Sequence, residues 1–324
     1  MKNIAPLVIL LFGLSFFNSC KSDSKKIPQE DIKVAVPAFS ADSAYTYIST
    51  QLDFGPRVPN SSGHQACKNW LIQKLEGFGA EVIPQNFEAP DYNGTQLKGT
   101  NIIGRFNPEV EERVLLCAHW DTRHIADKDT IDQNQPIPGA DDGGSGVGVL
   151  LEIARQLNEN PIPMGVDIIL FDAEDHGSDE SGQTYTWGLG SQYWSKNLHE
   201  KNYMVKYGIL LDMVGSKGAR FTKEGLSRQS APVVTNKIWA LANKMGKSAY
   251  FPQVNTGGIV DDHFFILENT NIPMVDIINL KPDQNFGDYH HTHSDNLDII
   301  DKSTLGAVGQ VVLAVVYQES NKTF

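Results

Sequence analysis

The chain has 324 residues, a formal net charge of −12 and 40% hydrophobic residues. That composition is one of a packed globular protein rather than a disordered chain, and the length allows one large domain or two ordinary ones. The acidic balance leaves no basic face to neutralise phosphates, which argues against a nucleic-acid partner.

Lys2 is followed by an almost wholly apolar run over residues 4–17, too short for a stable transmembrane helix. Residues 1–19 therefore read as an export signal. Phe17-Asn18-Ser19-Cys20 resembles a loose lipobox, so Cys20 is expected to carry a lipid anchor; plain signal cleavage near Ser19 is the alternative. Residues 20–37 are polar and suit a tether. The expected location is the bacterial cell envelope, periplasmic or anchored to the outer membrane, with membrane contact only through Cys20.

Residues 38–324 read as one domain, without internal repeat or long linker. Helical spacing marks residues 43–52 and 63–78, the second with Ala66, Trp70, Leu71, Leu75 and Phe78 on one face. Residues 81–87 and 99–106 alternate like paired strands. Short apolar runs at 113–118, 166–171, 207–211 and 273–278 read as buried strands. Between and after them come helices at 144–157, 231–245 and 303–317. The 144–157 helix is expected to face inward through Val147, Leu150, Leu151 and Ala154. Buried strands alternating with helices predict an α/β domain: a central mixed, mostly parallel twisted sheet with helices on both faces. Cys67 and Cys117 could pair in an exported protein or stay buried as thiols; sequence does not decide.

Three of the apolar runs end in polar residues of metal-ligand type. Residues 115–118 lead into His119-Trp120-Asp121, residues 168–171 into Asp172-Ala173-Glu174-Asp175, and residues 209–211 into Asp212. Asp141-Asp142-Gly143-Gly144 opens a helix, and His290-His291-Thr292-His293-Ser294-Asp295 lies near the C-terminus. In α/β sheets, sites form beyond the carboxyl ends of the strands. Carboxylates and imidazoles gathered there need a compensating cation. Zinc takes such N and O ligands and keeps one open position.

The ordered set resembles the M28 zinc-peptidase superfamily, from about Phe39 to the end of the chain. Within it, Leu211-Asp212-Met213-Val214-Gly215, Asp261-Asp262-His263-Phe264 and His291-Thr292 with Asn296-Leu297-Asp298 are similar to the glutaminyl cyclase branch. The resemblance implies one zinc per chain held by Asp142, Asp175 and His291, with Glu174 as general acid/base and Asp212 and Asp261 as supporting acids. It implies peptides or proteins with N-terminal Gln as substrates. Two departures stand out. Asp175 replaces the Glu common in animal cyclases, and His290 replaces a Trp of the pocket wall. Di-zinc aminopeptidases of the superfamily use the equivalents of His119 and Asp212 for a second metal, so that enzyme is the alternative. A proton shared between Asp212 and Asp261 would take the place of the second cation. His119 and Asp121 would then orient the zinc carboxylates without binding the metal.

Pocket aromatics are sought among Trp187, Tyr193, Trp194, Phe286 and Tyr289; Trp187, Phe286 and His290 are preferred. Residues 177–190 are polar and Gly-rich, and suit a loop over the site. Residues 127–132 lack the glycine of a calcium loop and read as surface. His124, His176 and His199 have no partner pattern and read as solvent-facing.

Overall fold

The computed structural model describes Met1 and residues 35–180 and 182–324. The export signal, Cys20 and nearly all of the tether lie outside the described residues.

Six strands make one sheet: β1 (Glu81–Pro90), β2 (Gln96–Phe106), β3 (Arg113–His119), β4 (Gly165–Phe171), β5 (Gly208–Asp212) and β6 (Met274–Ile278). Their spatial order is β1-β2-β4-β3-β5-β6. β1–β2 and β2–β4 are antiparallel; β4, β3, β5 and β6 run parallel. This is the mixed, mostly parallel sheet expected. The register sets His119 beside Phe171 and Asp212 beside Ile278, so the parallel strands end together.

Side chains alternate across the sheet, as a period of two requires. Leu116, Ala118, Ile168, Leu170, Ile209 and Leu211 face one core, and Leu115, Cys117, Ile169, Phe171 and Leu210 the other. Helices α1 (Ala41–Asp53), α2 (Ser62–Gly77), α3 (Gly144–Glu159), α6 (Pro232–Lys244) and α8 (Lys302–Ser320) supply the first core. Helices α4 (Leu189–Lys196) and α7 (Asp262–Asn269) cover the second through Trp194 and Ile266. The short α5 (Gly225–Ser230) lies beside β6.

Three sequence readings need correction. The inner face of α2 is His64, Cys67, Leu71 and Leu75, while Ala66 is exposed. Helix α3 is buried on all sides over residues 144–154 rather than on one side, because α1 and α8 pack over its back, and only its C-terminal end reaches the surface. Helices α4, α5 and α7 escaped periodicity because they are only 6–8 residues long. Cys67 and Cys117 are both buried free thiols.

The approach of α3 to the sheet depends on Gly146. A Cβ there would stand 2.3 Å from the Leu211 carbonyl oxygen and 2.9 Å from the Ala118 Cβ. Gly146→Ala is therefore expected to lower stability by about 1–3 kcal/mol or more, since backbone has to move. Denaturant unfolding checks this; an unchanged midpoint would contradict the packing described.

Candidate active site

The site is built from turns that follow the parallel strands. Three non-glycine residues there adopt left-handed backbone: Ala173 (φ 54°) before Glu174, Met213 (φ 47°) after Asp212, and His291 itself (φ 58°). Such conformations cost of order 1–3 kcal/mol each and persist only where surrounding contacts determine them.

Those contacts are visible. Asp172 is fully buried and accepts from Thr100 N at 2.6 Å, Ala173 N at 2.8 Å and His64 Nε2 at 2.9 Å. It braces the turn and is not a ligand. Asp121 accepts from Glu174 N at 3.0 Å and Asp175 N at 3.2 Å, which aims both acids. Burial opposes its charge, but His119 and His176 outweigh that and hold its carboxyl far below the usual range. Asp295 aims the other loop, accepting from Asp141 N at 2.7 Å and Asp142 N at 3.1 Å. Arg57 is fully buried and donates to Trp120 O at 3.3 Å, Pro138 O at 2.7 Å and Gly139 O at 2.6 Å, tying the end of β3 to the Asp142 loop.

On this frame, His291 Nε2 stands 3.2 Å from Asp175 Oδ1 and 3.8 Å from Asp142 Oδ2. Asp142 and Asp175 each keep a buried Oδ2 without any hydrogen-bond partner. Orphaned carboxylate oxygens are costly unless a cation meets them. Two carboxylates and one imidazole also match the donor set of a zinc site with an open fourth position. The residues present fit zinc.

Asp142 faces two ways. Its Oδ1 lies 3.1 Å from His119 Nε2, and that nitrogen lies 3.2 Å from Asp212 Oδ1. Ligand atoms of His119, Asp142 and Asp212 converge within 4.8 Å, as do those of Asp142, His290 and His291. Burial alone would depress His119, yet Asp121, Asp142 and Asp212 together push its ring well above the usual histidine range.

A cavity of about 310 Å³ opens over these groups and is lined by Glu174, Asp212, Asp261, Trp187, Phe286 and His290, among others. Burial pushes the Glu174 carboxyl well above the usual range; Asp261, Asp262 and Asp175 add to this, against His119. Burial also raises Asp212, to about 8, with Asp261 adding and His119 opposing. Asp212 and Asp261 line the same cavity. Asp261 caps α7 by accepting from Asp262 N, and its Oδ2 has no hydrogen-bond partner. It acts on Asp212 as a neighbouring charge.

Of the aromatic candidates, Trp187 and Phe286 line the cavity. Tyr193 stacks on Phe87 at 5.3 Å, Trp194 is buried in the second core, and the Tyr289 hydroxyl donates to Asp141 Oδ2. Trp187 donates to Ser178 O at 3.1 Å and lies 4.8 Å from the Arg123 guanidinium. The 177–190 run is partly ordered by the turn Thr184–Thr186 and the start of α4.

Two sequence readings missed functional neighbours. Asp127 is not merely part of a surface loop: it pairs with Arg123 at 2.8 Å and lies 3.4 Å from His291 Nδ1. Arg123 in turn reaches Asp175 Oδ1 at 3.4 Å, so this pair supports both ligands. His176 is buried, 3.5 Å from Asp121 and stacked on His124, while Trp194 donates to His199. Nothing local marks Asp127 or Arg57; only the pairing across distant segments identifies them.

A mixed α/β sheet with carboxylates and histidines gathered beyond the ends of its parallel strands is the architecture of an α/β metalloenzyme. The model of peptidase family M28 matches residues 101–316, and the chain belongs to that family. It is 49% identical to a glutaminyl cyclase from Bacteroides thetaiotaomicron solved with N-acetylhistamine, over 87% of this chain and 99% of that one, with a TM-score of 0.85. It is also 49% identical to a Zn-dependent exopeptidase from Parabacteroides distasonis, over 87% and 99%, with a TM-score of 0.84. An aminopeptidase of Bacillus subtilis is 28% identical over 82% of this chain; the chain spans 55% of that protein's length.

Proposed function

We propose that the chain is a glutaminyl-peptide cyclotransferase, acting on N-terminal glutamine of peptides or proteins and releasing ammonia. The observation that carries this reading is the cavity: Glu174, Asp212 and Asp261 come to it from three different segments and face the Asp142–His291 pair. The similarity to a bacterial cyclase over nearly all of that chain supports it.

Asp142, Asp175 and His291 would hold one zinc. Zinc bound there would act as a Lewis acid on the side-chain amide carbonyl. The acid-lined cavity draws in the substrate α-amine, and its walls hold that nitrogen near the amide carbon. A bond forms from the α-nitrogen to that carbon and the bond to the amide nitrogen breaks. Glu174 takes a proton from the amine and returns it to the departing nitrogen as ammonia leaves. Burial favours this exchange by raising its carboxyl well above the usual range. In this reading the enzyme would act in the cell envelope, among exported proteins, if the apolar run over residues 4–17 serves as an export signal.

A second reading is a di-zinc aminopeptidase. It is favoured by the convergence of His119, Asp142 and Asp212. One assay separates them. A peptide beginning with Gln is expected to lose ammonia at unchanged chain length. Release of free glutamine instead would establish the peptidase.

A further inference from the structure

The catalytic cavity shares Lys128, Phe286 and His290 with a second cleft of about 390 Å³, which is otherwise lined by residues 284, 285, 287 and 288. The two linings differ in charge. The deep cavity is crowded with carboxyls, whereas Lys128 is the only lysine or arginine in either lining among the described residues. The one acid of the outer cleft, Asp288, lies 3.2 Å from Lys281 Nζ and its side chain is fully exposed.

Lys128 is held at the threshold. Its backbone N–H donates to His291 O at 3.3 Å, and its Nζ lies 2.8 Å from His290 Nδ1. An ammonium can only donate, so His290 Nδ1 accepts and two N–H groups of Lys128 remain for a ligand. The ordered side chain has less entropy to lose on binding than a free lysine. The result is a change of charge along the path: acids in the deep cavity, and a held cation where that cavity meets the outer cleft.

We propose that the outer cleft is the subsite for the residue after the N-terminal glutamine, and that Lys128 selects a carboxylate there. This rests on the cyclase reading. Two sources carry that group: an acidic side chain at the second position, or the free C-terminus of a dipeptide.

The test is kcat/KM for ammonia release at low salt from Gln-Glu-Ala-amide, Gln-Ala-Ala-amide and Gln-Lys-Ala-amide, together with Gln-Ala as free acid and as amide. The Glu peptide is expected to exceed the Lys peptide by roughly threefold to fivefold, as for an exposed charge pair. The ratio is expected to fall towards one at about 1 M salt, where the screening length is near 3 Å. It is also expected to vanish in Lys128→Met and to persist in Lys128→Arg. A rate loss common to all peptides in Lys128→Met reports His290 and cancels in the ratio. Comparing the free and amidated dipeptides shows which carboxylate source is preferred. Equal rates across the peptides, or a preference unchanged in Lys128→Met, would overturn the subsite while leaving the cyclase intact. No ammonia from any of them would overturn the cyclase itself.

Discussion

Glu174→Gln is expected to reduce kcat for ammonia release by about 10²–10⁴-fold, the range carried by a positioned general acid/base. The substitution keeps shape and removes the ability to take and return a proton. The turn that holds the residue should survive, because Asp121 grips the main-chain N–H groups of Glu174 and Asp175 and not their side chains. Zinc content should therefore match the unsubstituted protein, as the proposed ligands Asp142, Asp175 and His291 are untouched. Bound metal by elemental analysis and a rate assay on a Gln peptide decide the matter. A Gln variant within about tenfold of the parent rate would assign the proton transfer to another group, and Asp261 would be the next to examine.

His291→Ala should act on the metal first and on the rate as a consequence. It removes the neutral nitrogen donor and leaves two carboxylates that repel each other. Loss of an outer-shell partner alone typically weakens metal binding by 10–100-fold, so loss of a ligand is expected to exceed about 100-fold. Adding zinc to the stripped parent protein should stabilise it by about 2.7 kcal/mol at a hundredfold excess over Kd. The Ala variant should show almost none of this at the same concentration. Chelator competition and thermal unfolding measure the two effects. Undiminished zinc affinity in the variant would shift the site to the His119, Asp142 and Asp212 cluster.

Much of this site could be read because the strands are buried on both faces. Such strands appear as unbroken apolar runs, and the first polar residues after them mark the sheet's carboxyl edge. His119, Glu174, Asp175 and Asp212 are all found this way. Other parts were unreadable for an equally physical reason. A buried Arg57 or Asp295, or a half-buried Asp127, has the same local signature as a solvated one. Its partners lie far off in sequence, as with Asp295 and the main chain of Asp141, 154 positions apart. One oxygen of Asp261 is taken by the helix N-terminus beside it, which offers an N–H close at hand.

By itself, the sequence determined the class of fold, the order of the strands along the chain and the residues able to bind a cation. Hydrophobic period and ligand chemistry are properties of short segments. Only the tertiary structure decided which carboxylates meet, which are spent as braces, and that Tyr193 and Trp194 pack away from the cavity. Those outcomes depend on where distant turns are held in space. That placement comes from long-range hydrogen bonds and close packing, and no short stretch of chain encodes them alone.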